Sequence, residues 1–151
     1  MTVVLVGDPT SHRRVMGPLA ARRFDERVRR LPAAGDWLTI DDVAPGSVDD
    51  LVSVASMCHA DDADRHATAL RDALAPGGRL LFFEHGGHGV PYRLADALYS
   101  SSPFGCHVDR DVTGTLRRAG FLVTDLERTT MPSAVPLLRP WAHGVAVVRG
   151  S

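Results

Sequence analysis

Acidic and imidazole side chains follow two apolar segments of the chain, where they could transfer protons. Glu84 and His85 end the segment RLLFFEH, and His59 lies shortly after the segment DLVSVAS. An imidazole changes its charge near neutral pH, and a carboxylate can orient it or share its proton. We therefore expect His85, Glu84 and His59 to be the catalytic residues, with His85 or His59 as the general base.

Cysteines and further histidines lie near the same segments. The set that could converge is Cys58, His59, His85, His88, Cys106 and His107. Cysteine and histidine are the ligands that zinc prefers. However, the chain has no CxxC or HxxxH spacing, so we predict no metal site. The other histidines, expected at solvent or loop positions, are His12, His66 and His143.

Apolar, β-branched runs alternate along the chain with segments of helical periodicity. The predicted strands are Thr2–Val6, a weak Arg27–Leu31, Asp50–Ser56, Arg79–Glu84, Phe121–Glu127 and Gly144–Arg149. The predicted helices are one capped by Thr10 or Ser11, with Val15, Leu19 and Phe24 facing inward, then Ala63–Leu74 and Asp109–Gly120. This order predicts an open α/β sheet with helices on both faces. A proline-rich loop joins the last two strands, so one of them should be antiparallel.

Size and composition limit the architecture and the kinds of partner. At 151 residues, the chain is predicted to form a single domain over residues 1–151. A formal net charge of −1 gives no electrostatic case for binding nucleic acid. No apolar run approaches the roughly 20 residues of a membrane span, and the start MTVVLVGDP lacks the basic region of a signal peptide. We expect a cytoplasmic protein with no nucleic-acid or membrane partner.

Three ordered stretches carry a family resemblance. They are Gly46–His85, with the turn PGGR and the terminal EH, then Gly105–Arg128, with GCH at its start, and the closing PLLRPWAHGVAVV. Together they resemble strands four to seven of the class I S-adenosylmethionine (SAM)-dependent methyltransferases, of the small-molecule, menaquinone-methylase type (methyltransferase type 11). The resemblance implies a reduced Rossmann-like class I methyltransferase fold. Its sheet would be mostly parallel, with an antiparallel C-terminal strand.

The first 45 residues resemble the family through the spacing of their acids. Asp36 lies 28 positions after Asp8, and Asp49 follows after another 13. By this spacing LVGDPTSHRR resembles strand two with the start of its helix, and VRRLPAAGDW resembles strand three. Strand one, its Gly-rich loop and the first helix then have no counterpart in the sequence. Alternatively, Val3–Asp8 resembles strand one, with VGDPT in place of the Gly-rich turn.

The resemblance also implies positions for a cofactor. Asp8 matches the acid that binds the ribose hydroxyls, and Asp36 matches the residue near the adenine amine. Trp37 and Val54 are placed beside them. The cofactor stays unknown: SAM is the candidate, but the Gly-rich loop that binds it is missing. Strand two would pair directly with strand four or leave a gap, and we expect a homodimer or a partner chain to cover it.

These observations favour a methyltransferase-like protein that acts on a small organic molecule. Half a SAM site lacks the groups that orient the methyl donor. We therefore expect that the chain does not transfer methyl groups alone and serves as a general acid/base catalyst. Two alternatives remain open. One is a genuine SAM-dependent methyltransferase, completed by a second chain or by the VGDPT turn, and the other is a non-catalytic partner subunit of a full-length methyltransferase.

Overall fold

A computed structural model describes residues 1–7, 18–31, 36–87, 89–101, 105–131 and 136–150. Within these ranges the strands are Val3–Gly7 (β1), Trp37–Leu38 (β2), Val48–Val54 (β3), Leu74–His85 (β4), Phe121–Thr130 (β5) and Pro140–Val148 (β6). The helices are Pro18–Arg29 (α1), Ala63–Ala73 (α2), Val90–Ser100 (α3) and Val112–Arg118 (α4). Short 3-10 helices span Ile40–Asp42 and Pro136–Leu138.

The strands form one sheet in the order β2-β1-β3-β4-β6-β5. The first four strands in this order run parallel, whereas β6 is antiparallel to both β4 and β5. The predicted α/β fold, mostly parallel with an antiparallel C-terminal strand, is confirmed. β1 pairs directly with β3 along its whole length. The sheet therefore needs no strand from a partner chain between them.

Two aspartates determine where the helices nearest the site begin. The carboxylate of Asp62 accepts a hydrogen bond from the backbone N–H of Arg65 at 3.0 Å, at the start of α2. Asp111 accepts in the same way from Gly114 at 3.0 Å, at the start of α4. Such caps satisfy N–H groups that have no partner within the helix, and each contributes about 1 kcal/mol. They fix the ends of the loops after β3 and before α4.

Buried side chains form two apolar clusters. One cluster includes Leu51, Leu70, Leu80, Leu116 and Phe121. The other includes Phe24, Val52, Phe83, Cys106 and Trp141. β3 contributes to both clusters, because successive residues of a strand point to opposite faces of the sheet. The strands that carry the site are therefore held in the most buried part of the chain.

Two predictions for the first helix are wrong. The predicted strand Arg27–Leu31 contains the last residues of α1 and the turn after it. Phe24 and Val28 lie four residues apart and pack on the same cluster, which is the spacing of one helix face. Leu19 is 61% exposed and does not face inward, because Ala20 and Phe24 occupy the buried face of α1.

The longer elements agree with the sequence. The strand predicted at Asp50–Ser56 is β3, and the helix predicted at Ala63–Leu74 is α2. Among the described helices, none combines the length and the apolar character needed to cross a membrane. Some predicted positions lie outside the described residues, namely Asp8, Thr10, Ser11, His12, Val15 and His88.

Candidate functional site

A pocket of about 270 Å³ opens at the carboxyl ends of β1 and β3. Its lining comes from Val6 and Gly7 on β1, residues 38–41 at and after the end of β2, Ala55, Ser56, His59 and Ala60 after β3, and His66 on α2. Open α/β sheets bind their ligands at this edge, outside the carboxyl ends of the strands. The location therefore marks the pocket as the candidate binding site.

The end of β1 requires a glycine. Gly7 has a φ of +133°, which residues with a side chain rarely adopt. A Cβ at this position would also overlap the backbone carbonyl of Val54 on β3. Glycine therefore lets the two strands pair up to the edge where the pocket opens.

Glu84 is fully buried at the end of β4 and is held by the segment around the end of β3. Its Oε1 accepts hydrogen bonds from the hydroxyls of Ser53 at 2.6 Å and Ser56 at 3.1 Å. The backbone N–H groups of Ser56 and Met57 donate to its two carboxylate oxygens, each at 3.1 Å. Burial raises the pKa of Glu84, and these donors oppose the rise. The carboxyl group thus joins β4 to the loop that forms one pocket wall.

His66 connects this buried carboxyl group to the pocket. Its Nε2 lies 2.9 Å from the Oγ of Ser56, which also contacts Glu84. Burial lowers the pKa of His66, while the charge of Asp41 opposes this and that of Arg110 adds to it, so the ring is uncharged at neutral pH. The prediction of a solvent or loop position for His66 is wrong, since the residue lies on α2 and lines the pocket.

The other histidine predicted at a solvent or loop position, His143, lies on β6. Its Nε2 lies 2.7 Å from a guanidinium nitrogen of Arg27 and 3.1 Å from a carboxylate oxygen of Glu127. The prediction for His143 is therefore also wrong. The residue belongs to a polar contact between α1 and the strands β5 and β6.

His59 lines the pocket from the loop after β3. Its Nδ1 lies 3.2 Å from the carbonyl oxygen of Gly105, so Nδ1 carries the hydrogen of this bond. The backbone N–H of His107 donates to the backbone carbonyl of Cys58 at 2.7 Å and joins the same two segments. Of the three residues expected to be catalytic, His59 is the one that lies on the pocket wall.

His85 follows Glu84 on β4 and points to the opposite face of the sheet. The ring is fully buried, with Nε2 3.0 Å from the carbonyl oxygen of Leu137 and Nδ1 3.4 Å from the Sγ of Cys106. Its ring centroid lies 5.5 Å from that of Trp141. Both ring nitrogens therefore face protein groups.

Of the residues expected to bind a cofactor, the three within the described ranges do not line the pocket. Asp36 is exposed and precedes β2, and Trp37 packs on the cluster that contains Phe24. Val54 is fully buried at the end of β3. Asp41, which the sequence did not single out, lines the pocket beyond the carboxyl end of β2.

Comparison with curated proteins gives one relative in sequence. The chain is 27% identical over 146 residues to human thiol S-methyltransferase TMT1A. The match covers 93% of the chain and 59% of that protein, so the chain spans about three fifths of this relative's length. No protein-family model matches the chain.

Solved structures share the fold. A SAM-dependent methyltransferase from Methanosarcina mazei has a TM-score of 0.59 at 14% identity, and the match covers 96% of this chain and 91% of that chain. One from Thermotoga maritima has a TM-score of 0.53 at 19% identity, covering 96% and 79%. This chain therefore has the fold of the class I SAM-dependent methyltransferases and is similar to them.

The class I methyltransferase fold also occurs in a protein with a different activity. The [4+2]-cyclase SpnF has a TM-score of 0.57 at 14% identity, and the match covers 96% of this chain and 73% of that chain. The fold is therefore compatible with more than one chemistry, and the activity has to be argued from the pocket.

Proposed function

We propose that the pocket binds the adenosyl half of SAM and that the chain takes part in methyl transfer to a small organic molecule. One observation carries this proposal: the pocket lies at the carboxyl ends of β1 and β3, with the carboxylate of Asp41 among apolar groups of Val6, Leu38, Ile40 and Ala55. An adenine ring has apolar faces and an amino group that donates hydrogen bonds. The apolar walls and the carboxylate acceptor fit these two features.

The methionine half of SAM is matched less well. That half carries a carboxylate, which proteins usually bind with arginine or with backbone N–H groups at a helix N-terminus. The described lining of the pocket contains no arginine and no lysine. We therefore propose that the described residues hold the nucleoside.

SAM, when bound, supplies an electrophilic methyl group. The chain's own residues would bind and orient the nucleoside: Asp41 accepts hydrogen bonds, and His59 and His66 lie on the same wall. We propose a small-molecule thiol as the acceptor to test first, because the relative is named a thiol S-methyltransferase. A thiol loses its proton when it is methylated, and His59 is the proposed general base.

A second candidate function is general acid/base catalysis on a small molecule without methyl transfer. The observation that favours it is the path of hydrogen bonds from His66 through Ser56 to Glu84. An uncharged imidazole that is joined through a serine hydroxyl to a carboxyl group of raised pKa can pass a proton in either direction. His85 lies outside this path, since its ring nitrogens face Cys106 and Leu137.

We also propose that a second chain, either a copy of this one or a different protein, completes the methionine half. Helix α3 exposes Val90, Leu94 and Leu98, four residues apart on one face, which suits a contact with another protein. A matched structure is the complex between the Haloferax volcanii Trm112 methyltransferase activator and a methyltransferase. Sedimentation of the purified chain tests for a homodimer.

Calorimetry with S-adenosylhomocysteine tests the primary proposal. We expect the chain to bind this ligand and Asp41→Asn to weaken binding about tenfold, because hydrogen bonds to charged groups contribute about 1.5–3 kcal/mol. Asp42→Asn is the matched control, because Asp42 is a neighbouring carboxylate that accepts from Thr39 at 2.6 Å and does not line the pocket. Absence of binding to the unaltered chain would overturn the proposal.

A further inference from the structure

Three soft or borderline ligand groups meet in the interior, away from the pocket wall. Cys58 comes from the loop after β3, His85 from the end of β4, and Cys106 from the segment before α4. All three side chains are fully buried, and their ligand atoms lie within 4.8 Å of one another. The fold therefore brings together residues that are far apart in the sequence and share no short motif.

The contacts of His85 are compatible with a role as a metal ligand. Its Nε2 donates to the carbonyl oxygen of Leu137 at 3.0 Å. In the neutral imidazole this bond leaves a lone pair on Nδ1, and Nδ1 faces the Sγ of Cys106. Histidines that bind metals usually donate their other ring N–H to a carbonyl or carboxylate in this way, which fixes the tautomer.

The spacing of the donor atoms also fits a tetrahedral ion. Zinc bonds of about 2.3 Å to sulfur and about 2.05 Å to nitrogen place the two donors about 3.5 Å apart. The observed distance from Cys106 Sγ to His85 Nδ1 is 3.4 Å. Cys58 lies within 4.8 Å of both, so a shift of about 1 Å at its side chain completes the set.

We propose that Cys58, Cys106 and His85 bind a zinc ion. Charge decides between zinc and the other thiophilic ion, copper(I). Two thiolates neutralise the charge of Zn²⁺, whereas with Cu⁺ they leave a net negative charge in a fully buried site. Zinc bound by two cysteines and one histidine keeps one of its four positions open to water or to a ligand atom.

Zinc binding must displace protons. A cation coordinates the thiolate form, and the thiol protons are released to solvent as the two sulfur–metal bonds form. The proposal does not depend on SAM or on any substrate, so it can fail or succeed independently of the proposed function.

A cobalt(II) and zinc(II) titration of the reduced, metal-free full chain tests this site. We expect one equivalent of Co²⁺ to give thiolate-to-cobalt charge-transfer absorption in the near ultraviolet and Zn²⁺ to remove it. Protons should be released as Zn²⁺ binds, and the thermal midpoint should rise. Cys58→Ser and Cys106→Ser should each weaken binding at least tenfold. His107→Gln, next to Cys106 but paired with Asp96, is the matched control and should bind normally.

Three results would overturn the proposal. One is no charge-transfer absorption with the unaltered chain, which requires no variant to fold. Another is unchanged absorption in both serine variants. The third combines two observations. Mass spectrometry without reductant finds a Cys58–Cys106 disulfide in the chain as isolated, and the chain binds no zinc after the disulfide is reduced.

Discussion

The Oγ of Ser56 and the Nε2 of His66 lie 2.9 Å apart, although ten residues separate them in sequence. Ser56 has one hydroxyl hydrogen, and its Oγ also lies 3.1 Å from a carboxylate oxygen of Glu84. In one arrangement the Ser56 hydroxyl donates to the Glu84 carboxylate and accepts a hydrogen bond from His66. In the other the Ser56 hydroxyl donates to His66 and accepts a hydrogen bond from a protonated Glu84. Which ring nitrogen of His66 carries the hydrogen is therefore linked to the protonation state of a buried carboxyl group.

The first prediction concerns the titration of His66. Burial lowers its pKa and Asp41 partly opposes this, so the imidazole should titrate below 6.5. Asp41→Asn removes the opposing charge and should lower the midpoint further. Asp42→Asn should leave it nearly unchanged. NMR titration of the histidine ring protons measures all three, and a midpoint that rises in Asp41→Asn would contradict the assignment.

The second prediction concerns Glu84 and the pH dependence of stability. Its folded-state pKa is raised above the ordinary 4.5, so the folded state keeps a proton that the unfolded state releases. The stability that Glu84 contributes is fully present below about pH 4.5 and is lost as the pH rises through the raised pKa. Glu84→Gln should lower the free energy of unfolding by about 1–3 kcal/mol, because the NH₂ group of the new glutamine faces the N–H donor of Met57. Urea unfolding at several pH values measures this loss of stability. The loss should be largest at acidic pH and should shrink as the pH rises.

Glu127→Gln is the control with the opposite sign. The hydrogen bond from Arg27 and the charge of His143 lower the pKa of Glu127, which lies at the surface. The stability that Glu127 contributes is present above pH 4.5 and is lost as the pH falls through the lowered pKa. The difference in the free energy of unfolding between Glu127→Gln and the unaltered chain should therefore be small and should grow with pH. The same trend in Glu84→Gln would show that Glu84 is not held as described.

The third prediction concerns the end of β1. In Gly7→Ala the alanine must adopt a positive φ, and its Cβ overlaps the carbonyl of Val54. The free energy of unfolding should therefore fall by more than about 3 kcal/mol. Gly46→Ala is a matched control, since Gly46 also has a positive φ, +66°, but nothing lies within 4 Å of the added Cβ. It should cost only about 1–2 kcal/mol. Equal losses in urea unfolding would contradict the close approach of β1 and β3.

The fourth prediction concerns the buried face of α1. Phe24 is 1% exposed, and its ring lies 5.6 Å from that of Phe83 and 5.4 Å from that of Trp141. Phe24→Ala should cost about 3–5 kcal/mol. Leu19→Ala, on the exposed side of the same helix, should stay within about 0.5 kcal/mol. A large loss in Leu19→Ala would restore the inward orientation that the sequence predicts.

The fold could be predicted where an element is long and its pattern unambiguous. β3 is a compact apolar run, and α2 repeats buried residues at the spacing of a helix face, so both were predicted nearly to their ends. The residues around Val28 and Leu31 are too few to distinguish a strand from a helix end, and only their packing beside Phe24 decides. The pairing of β1 with β3 fits both family correspondences of Val3–Gly7, as strand one and as strand two.

The site was predicted in part. His59 follows a clear strand, and the carboxyl edge of the sheet is where such a residue should lie. A signal for His66 was present: it falls three residues after Ala63 and four before Leu70, on the buried stripe of α2. Asp41 had no such signal, since it lies in a short 3-10 helix after a two-residue strand, where no periodicity exists.

In the proposed function the described pocket binds the nucleoside half of SAM and not the methionine half. Calorimetry with adenosine, methionine and S-adenosylhomocysteine measures the contribution of each half. We expect adenosine and S-adenosylhomocysteine to bind with dissociation constants within about threefold, a difference under about 1 kcal/mol, and methionine not to bind. Binding of S-adenosylhomocysteine more than about tenfold tighter than adenosine, or no binding of adenosine, would contradict it.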